Sequence, residues 1–162
     1  MLLKNGSKLS NLLLWMIYIL LQGRSSMISP HKFREVVFQL LYSADFSQCP
    51  LEDIMAMVME KVAVTKKVVR EAYAVQQLIT ARAEEIDEMI KKHAQNYQIN
   101  RIPKVEYNVL RLGIYELLYC PDLPFKITIS EAIRLSRKFA TKESANFINA
   151  VLDSVYRSIT SC

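Results

Sequence analysis

Residues 29–44 read SPHKFREVVFQLLYSA. Ser29 is a helix N-cap, and Pro30 follows at the first helical position, where its missing N–H costs nothing. Phe33, Val36, Val37, Leu40, Leu41 and Ala44 then recur at helical spacing, giving one apolar stripe on an amphipathic helix. Working outward, Gln48-Cys49-Pro50 interrupts that helix, and a shorter one is predicted over residues 51–61 with Leu51, Ile54, Met55 and Val58 on one face. Thr65 caps a third segment whose stripe is Val68, Val69, Ala72, Tyr73 and Ile79. A fourth, highly charged stretch over residues 81–93 turns only Ile86, Met89 and Ile90 inward, and its charges read as a solvated helix face. Pro103 opens an apolar fifth helix that runs to residue 119, and Pro121 and Pro124 stop it. Thr128 with Glu131 has capping-box spacing, so a sixth helix is expected to start there and run to about residue 139. After a break at Ala140-Thr141, a seventh helix over residues 142–158 buries Phe147, Ile148, Val151, Leu152 and Val155. No stretch alternates with period two. The expected fold class is all-α, with about seven helices joined by short turns.

Composition agrees. A chain of 162 residues with 51% hydrophobic and 23% charged side chains can bury a real core, and its three glycines and five prolines are too few for a many-stranded β fold. The net charge is +5, but Lys4, Lys8 and Arg24 supply three of those charges in a segment, residues 1–26, that holds no acid. Bulk charge therefore does not mark a nucleic-acid binder. Within residues 1–26 an apolar run, LLLWMIYILL over residues 12–21, is shorter than the roughly 20 residues of a membrane span. It looks like the apolar region of a signal peptide, but Arg24 spoils the cleavage site. A leader, a peripheral extension and translation from Met27 are the three readings, and the last is preferred. Residues 27–162 show no linker and no internal repeat, and read as a single domain.

Catalytic chemistry finds no motif. Cys49, Cys120 and Cys162 are odd in number and far apart, which points to free thiols in a reducing, cytoplasmic setting rather than a disulfide framework or zinc site. Gly113 is the only glycine after residue 26, so phosphate-cradling glycine loops cannot be built. His31 and His93 have no acid or nucleophile at a recognisable spacing. The expectation is a protein that is not an enzyme, with no cofactor and no metal.

Three segments taken together resemble the NusB family. The first helix carries Phe33-Arg34-Glu35 and Phe38-Gln39-Leu40-Leu41-Tyr42, similar to the family's "ARE…QxLY". The fifth carries Leu110-Arg111-Leu112-Gly113-Ile114-Tyr115-Glu116-Leu117, similar to "LRxAxYEL". The third segment runs from Leu123-Pro124-Phe125-Lys126-Ile127 through Ser130-Glu131-Ala132 to Phe147-Ile148-Asn149-Ala150-Val151-Leu152-Asp153. It is similar to "xPxKVAINEAxxLAK…FVNGVLD". Order and spacing hold across about residues 29–157. The resemblance implies two packed three-helix subdomains with an additional helix. It also implies a bacterial transcription antitermination factor that binds boxA-type RNA as a heterodimer with the ribosomal protein NusE, alongside RNA polymerase and other Nus factors, notably on ribosomal RNA operons. A homodimer of the free protein is a further expectation.

The same resemblance implies the site residues. The family's arginine-rich start of the first helix corresponds to His31, Lys32 and Arg34, a thinner cluster that predicts weaker binding and a shallower salt dependence. Replacing Lys32 and Arg34 by alanine is expected to weaken RNA binding without moving the melting temperature. Phe147 is a candidate base-stacking ring, with core packing the alternative. Lys126, read as a loop residue before the sixth helix, is a candidate phosphate contact. Tyr42 and Glu106 are candidates for the rim of the protein-partner interface. Arg111 is expected to contact Tyr115 one turn away, and Asn149 a neighbouring backbone. Ala150 and Ala140 stand where the family has glycine, the second implying a left-handed residue elsewhere in that turn. Two other roles fit the same residues: the non-catalytic front of a ribosomal RNA cytosine methyltransferase, and a helical interaction protein that has lost RNA binding.

Overall fold

The computed structural model describes residues 28–46, 48–94 and 99–161; the apolar run and the expectation for residues 1–26 lie outside the described residues. Among the described residues there are seven α-helices, one 3-10 turn (Ile99–Arg101) and no strand. In chain order the helices are α1 (Pro30–Phe46), α2 (Leu51–Val62), α3 (Lys66–Ala81), α4 (Ala83–His93), α5 (Lys104–Tyr119), α6 (Phe125–Phe139) and α7 (Lys142–Thr160). The all-α expectation is met.

Local chemistry sets the ends. Ser29 Oγ accepts the Lys32 N–H at 3.3 Å, and Thr65 Oγ1 accepts the Val68 N–H at 3.4 Å. Thr141 does the same for Ser144 at 3.1 Å, although residues 140–141 read in sequence only as a break. The α2–α3 turn is made by Ala63, at φ 53° and ψ 59°, the only non-glycine residue of positive φ among the described residues. That conformation costs a Cβ-bearing residue roughly 1–2 kcal/mol, offset in part by the Val64 N–H bonding back to the Met59 carbonyl at 3.2 Å.

Two expectations about turns are corrected. α6 starts at Phe125, after Pro124, so Thr128 and Glu131 are interior positions and form no capping box. Their side chains leave the helix for other partners: Thr128 bonds Glu116, and Glu131 bonds His31. At the α6–α7 break Ala140 is extended, with φ −136° and ψ −133°, so no left-handed residue replaces the family's glycine there.

α1, α2 and α3 form one three-helix group and α5, α6 and α7 another, with α4 against α5 and α7. Phe38, Ile79, Ile86, Leu110, Ile114, Leu135, Ile148 and Leu152 are fully enclosed between them. α2 is thinly attached, with only Val58 and Val62 buried. α7 packs tightly on α5 at Gly113, where an added Cβ would stand 3.0 Å from both Leu152 methyl groups. Helix direction decides which ends meet. Contacts of His31 with Glu131 and of Phe38 with Phe139 make α1 and α6 parallel, whereas Arg34 with Glu116 and Asp45 with Asn108 make α5 antiparallel to α1. The N-termini of α1 and α6 therefore share one pole, and Lys32 Nζ, 3.4 Å from the Ala63 carbonyl, brings the start of α3 to the same pole.

Candidate nucleic-acid and partner interface

Helix N-termini carry partial positive charge and favour carboxylates in the first turn. α2, α4, α5 and α7 obey, with Glu52 and Asp53, Glu84 and Glu85, Glu106, and Glu143. α1, α3 and α6 have no acid there and hold His31 and Lys32, Lys66 and Lys67, and Lys126 instead. These are the three N-termini that share a pole. Each cation opposes its helix dipole by about 0.3–1 kcal/mol, so the arrangement disfavours stability and favours an anion presented to exposed N–H groups and ammonium tips.

Within this pole the candidate residues part company. His31 has a side chain 63% exposed, its Nδ1 held by Glu131 Oε1. Glu131 also accepts Arg134 Nε at 3.1 Å, and Arg134 Nη2 donates to the His31 carbonyl at 2.8 Å. Lys126 is exposed and is the second residue of α6, not a loop residue. Arg34 is different. It is 2% exposed and donates from Nε to Glu116 Oε1 at 2.7 Å, while the other oxygen of Glu116 accepts the Thr128 hydroxyl at 2.9 Å. One buried carboxylate thus ties α1, α5 and α6. Arg34 neighbours Phe33 and lies three residues before Val37, at the edge of the buried stripe, so its guanidinium turns inward. The expectation that removing Arg34 leaves stability untouched is overturned by this burial.

Phe147 is half-buried and packed on the core. It lies nearer the pole opposite His31 and Lys126, three residues beyond Ser144, whose hydroxyl bonds Glu106. The aromatic pair on the cationic side is Phe125 stacked on Tyr156, centroids 3.8 Å apart with 10° between planes.

The opposite pole holds the partner candidates. Tyr42 stands between Phe38, at 6.0 Å, and Phe46, at 4.8 Å, and Phe38 packs on Phe139 at 4.9 Å. With Ile54 and Met57 of α2, Tyr42 and Phe46 line an apolar groove of about 350 Å³, and Phe46 is 61% exposed. Glu106 belongs to this end but is buried, its carboxylate accepting the Ser144 hydroxyl, so it is no rim residue.

Two structural assignments also change. Arg111 binds Asp87 through two hydrogen bonds of 2.9 and 2.8 Å and lies 4.4 Å over the Tyr107 ring, so its partner is not Tyr115. Asn149 is exposed rather than buried in a stripe. Among the described residues no cluster of three or more His, Cys, Asp or Glu could hold a metal, and no helix is long and apolar enough to cross a membrane. Lys66 and Lys67, exposed at the same pole, are residues that sequence reasoning did not single out. Their signal is present as residues 61–70, KVAVTKKVVR, four cations without an acid.

The α4–α5 seam carries a titration signature. Burial pushes the Tyr107, Tyr115 and Tyr119 hydroxyls up from 10.0 to about 12. A proton kept by the folded chain above the unfolded value stabilises below pH 10, and that contribution is lost as pH rises from about 10 through about 12. Phenolate absorbance in the native protein is expected to show these three rings ionising late, with stability falling over the same window. Ionisation of all the tyrosines together near pH 10, before unfolding, would refute it.

A helical scaffold with a cationic pole at one end and an apolar groove at the other has the surfaces of a binding protein. The NusB family model matches residues 31–157, and the chain belongs to the NusB family. It is 35% identical over 133 residues to the transcription antitermination protein NusB of Nitratiruptor sp., covering 82% of this chain and 95% of that protein. The solved structure of NusB from T. maritima superposes with a TM-score of 0.68 at 32% identity, covering 81% of this chain and 93% of that one. A structure of antitermination factors NusB and NusE in complex with dsRNA has a NusB-like chain that superposes with a TM-score of 0.67 at 27% identity, covering 79% of this chain and 96% of that one.

Proposed function

We propose that this chain is a transcription antitermination factor that binds boxA-type RNA together with the ribosomal protein NusE and supports processive transcription of ribosomal RNA operons in the cytoplasm. The supporting observation is the pole where α1 and α6 begin, whose first turns carry cations and no acid. His31, Lys32 and Lys126 are the phosphate-facing residues, and the groove beside Tyr42 and Phe46 is the surface offered to NusE. RNA polymerase and other Nus factors complete the assembly, and the free protein self-associates through the same groove.

The test titrates the full chain into labelled boxA-like and scrambled RNA at fixed moderate salt, with and without NusE. NusE is expected to tighten binding for the boxA-like strand only. Lys32→Ala with Lys126→Ala is expected to lower RNA affinity and reduce the logarithmic salt slope by about 1.4, at roughly 0.7 per single-strand phosphate contact. An unchanged slope would remove both residues from the interface. A second reading, an interaction adaptor with little RNA binding, is favoured by the burial of Arg34, which withdraws one arginine from the pole. It predicts NusE binding with no discrimination between the two RNAs.

A further inference from the structure

The cationic pole does not end at the first helix. Residues 61–70 make the α2–α3 corner and contain Lys61, Lys66, Lys67 and Arg70 with no acid between them. All four are exposed. Lys66 and Arg70, one turn apart, lie on the face of α3 opposite its buried stripe of Val68, Val69, Ala72 and Val75. The corner is joined to the first helix by the contact of Lys32 with the Ala63 carbonyl.

Ion pairing is sparse at this corner. Elsewhere many cations are answered by carboxylates at short range, as in Arg111 with Asp87 at 2.8 Å, Lys138 with Glu35 at 2.6 Å and Arg157 with Asp153 at 2.8 Å. At the corner Lys67 pairs with Glu71 at the longer distance of 4.0 Å. Lys61, Lys66 and Arg70 have no carboxylate within ion-pair distance among the described residues. Four side chains of one sign in ten residues repel one another, and a polyanion relieves that repulsion by displacing its own counterions.

We propose that the α2–α3 corner is a second RNA contact, which grips the phosphodiester backbone of single-stranded RNA beyond the element bound at the start of α1. It restores the charge that the thin first-helix cluster lacks. The inference rests on the proposed RNA binding and deepens it. The contact is to phosphates, so it reads length and not sequence. No arginine fork is needed for that, because ammonium groups serve as point charges toward a flexible strand.

The experiment uses the full chain and three labelled RNAs: a minimal boxA-like strand, and the same strand extended by oligouridine at its 5′ or its 3′ end. Each is titrated across a salt series with the wild-type chain and with Lys66→Gln/Lys67→Gln/Arg70→Gln. These side chains are exposed, and circular dichroism checks that the variant folds. One of the two extensions is expected to tighten wild-type binding by about tenfold and to steepen the salt slope by about 2, at roughly 0.7 per single-strand phosphate contact. The variant is expected to lose that gain while holding the minimal strand within about twofold. Three results overturn the proposal: no gain from either extension, a gain that the variant retains, or equal weakening of minimal and extended strands. If the wild-type chain binds none of the RNAs, the RNA reading itself fails and the proposal falls with it. Loss of binding to phosphatidylglycerol vesicles in the variant, with the RNA gain intact, would reassign the corner to an anionic membrane surface.

Discussion

Glu116→Ala is expected to cost about 3–5 kcal/mol, measured by urea unfolding, because it leaves the Arg34 guanidinium charged and enclosed. Arg34 and Glu116 have side chains 3% and 2% exposed, so neither can turn to water without opening the core. Arg34→Ala should cost a similar amount, for the mirror-image reason. The two losses should not add. Replacing the group as a whole, with Arg34→Met, Glu116→Leu and Thr128→Val, removes both charges and the hydroxyl that bonds Glu116. That variant is expected to recover most of the loss, since a buried ion pair owes much of its apparent worth to what a broken pair leaves behind. A single-variant cost below about 1 kcal/mol would mean that water reaches the pair, and that it does not brace the three helices. The result also bears on function: an RNA-binding defect in Arg34→Ala would follow from unfolding, so Lys32 and Lys126 are the informative positions at that pole.

The second large effect lies in the aromatic row Phe139, Phe38, Tyr42, Phe46. Phe38→Ala is expected to cost about 3–5 kcal/mol, as the ring is 1% exposed and its loss leaves a cavity between α1 and the end of α6. Phe46→Ala, on the same helix two turns later, should change stability by no more than about 0.5 kcal/mol, because that ring is 61% exposed. Its effect is expected instead in NusE affinity. NusE affinity unchanged by Phe46→Ala would detach the groove from the partner role, whatever Phe38→Ala does to the fold.

Much of this was legible in the residues. Apolar spacing after Ser29-Pro30 marked α1 because a single buried face imposes the 3.6 period, and the prolines marked the ends because they cannot continue a helix. What spacing could not reveal was polar pairing across helices. Arg34 reads as a surface cation until Glu116 arrives from 82 residues away. Thr128 and Glu131 satisfy a local capping pattern, but tertiary partners outcompete it. The site was half legible for the same reason. His31, Lys32 and Lys126 fall together because α1 and α6 are parallel, and Phe147 falls away because α7 runs back. Lys66 and Lys67 stood in plain view, yet only the packing of the α2–α3 turn on Lys32 gives them a place at the pole.

The groove beside Tyr42 has unequal walls. One is α1, locked from several sides; the other is α2, with only two buried residues, Val58 and Val62. Local opening follows attachment, so amide protons in α2 should exchange with solvent through small openings that leave α1 closed. The groove is then adjustable on one side only, able to accept ligands of differing width at the expense of ordering a loose helix. A ligand seated there would register first as slowed exchange in α2, with no atom of the rest of the molecule displaced.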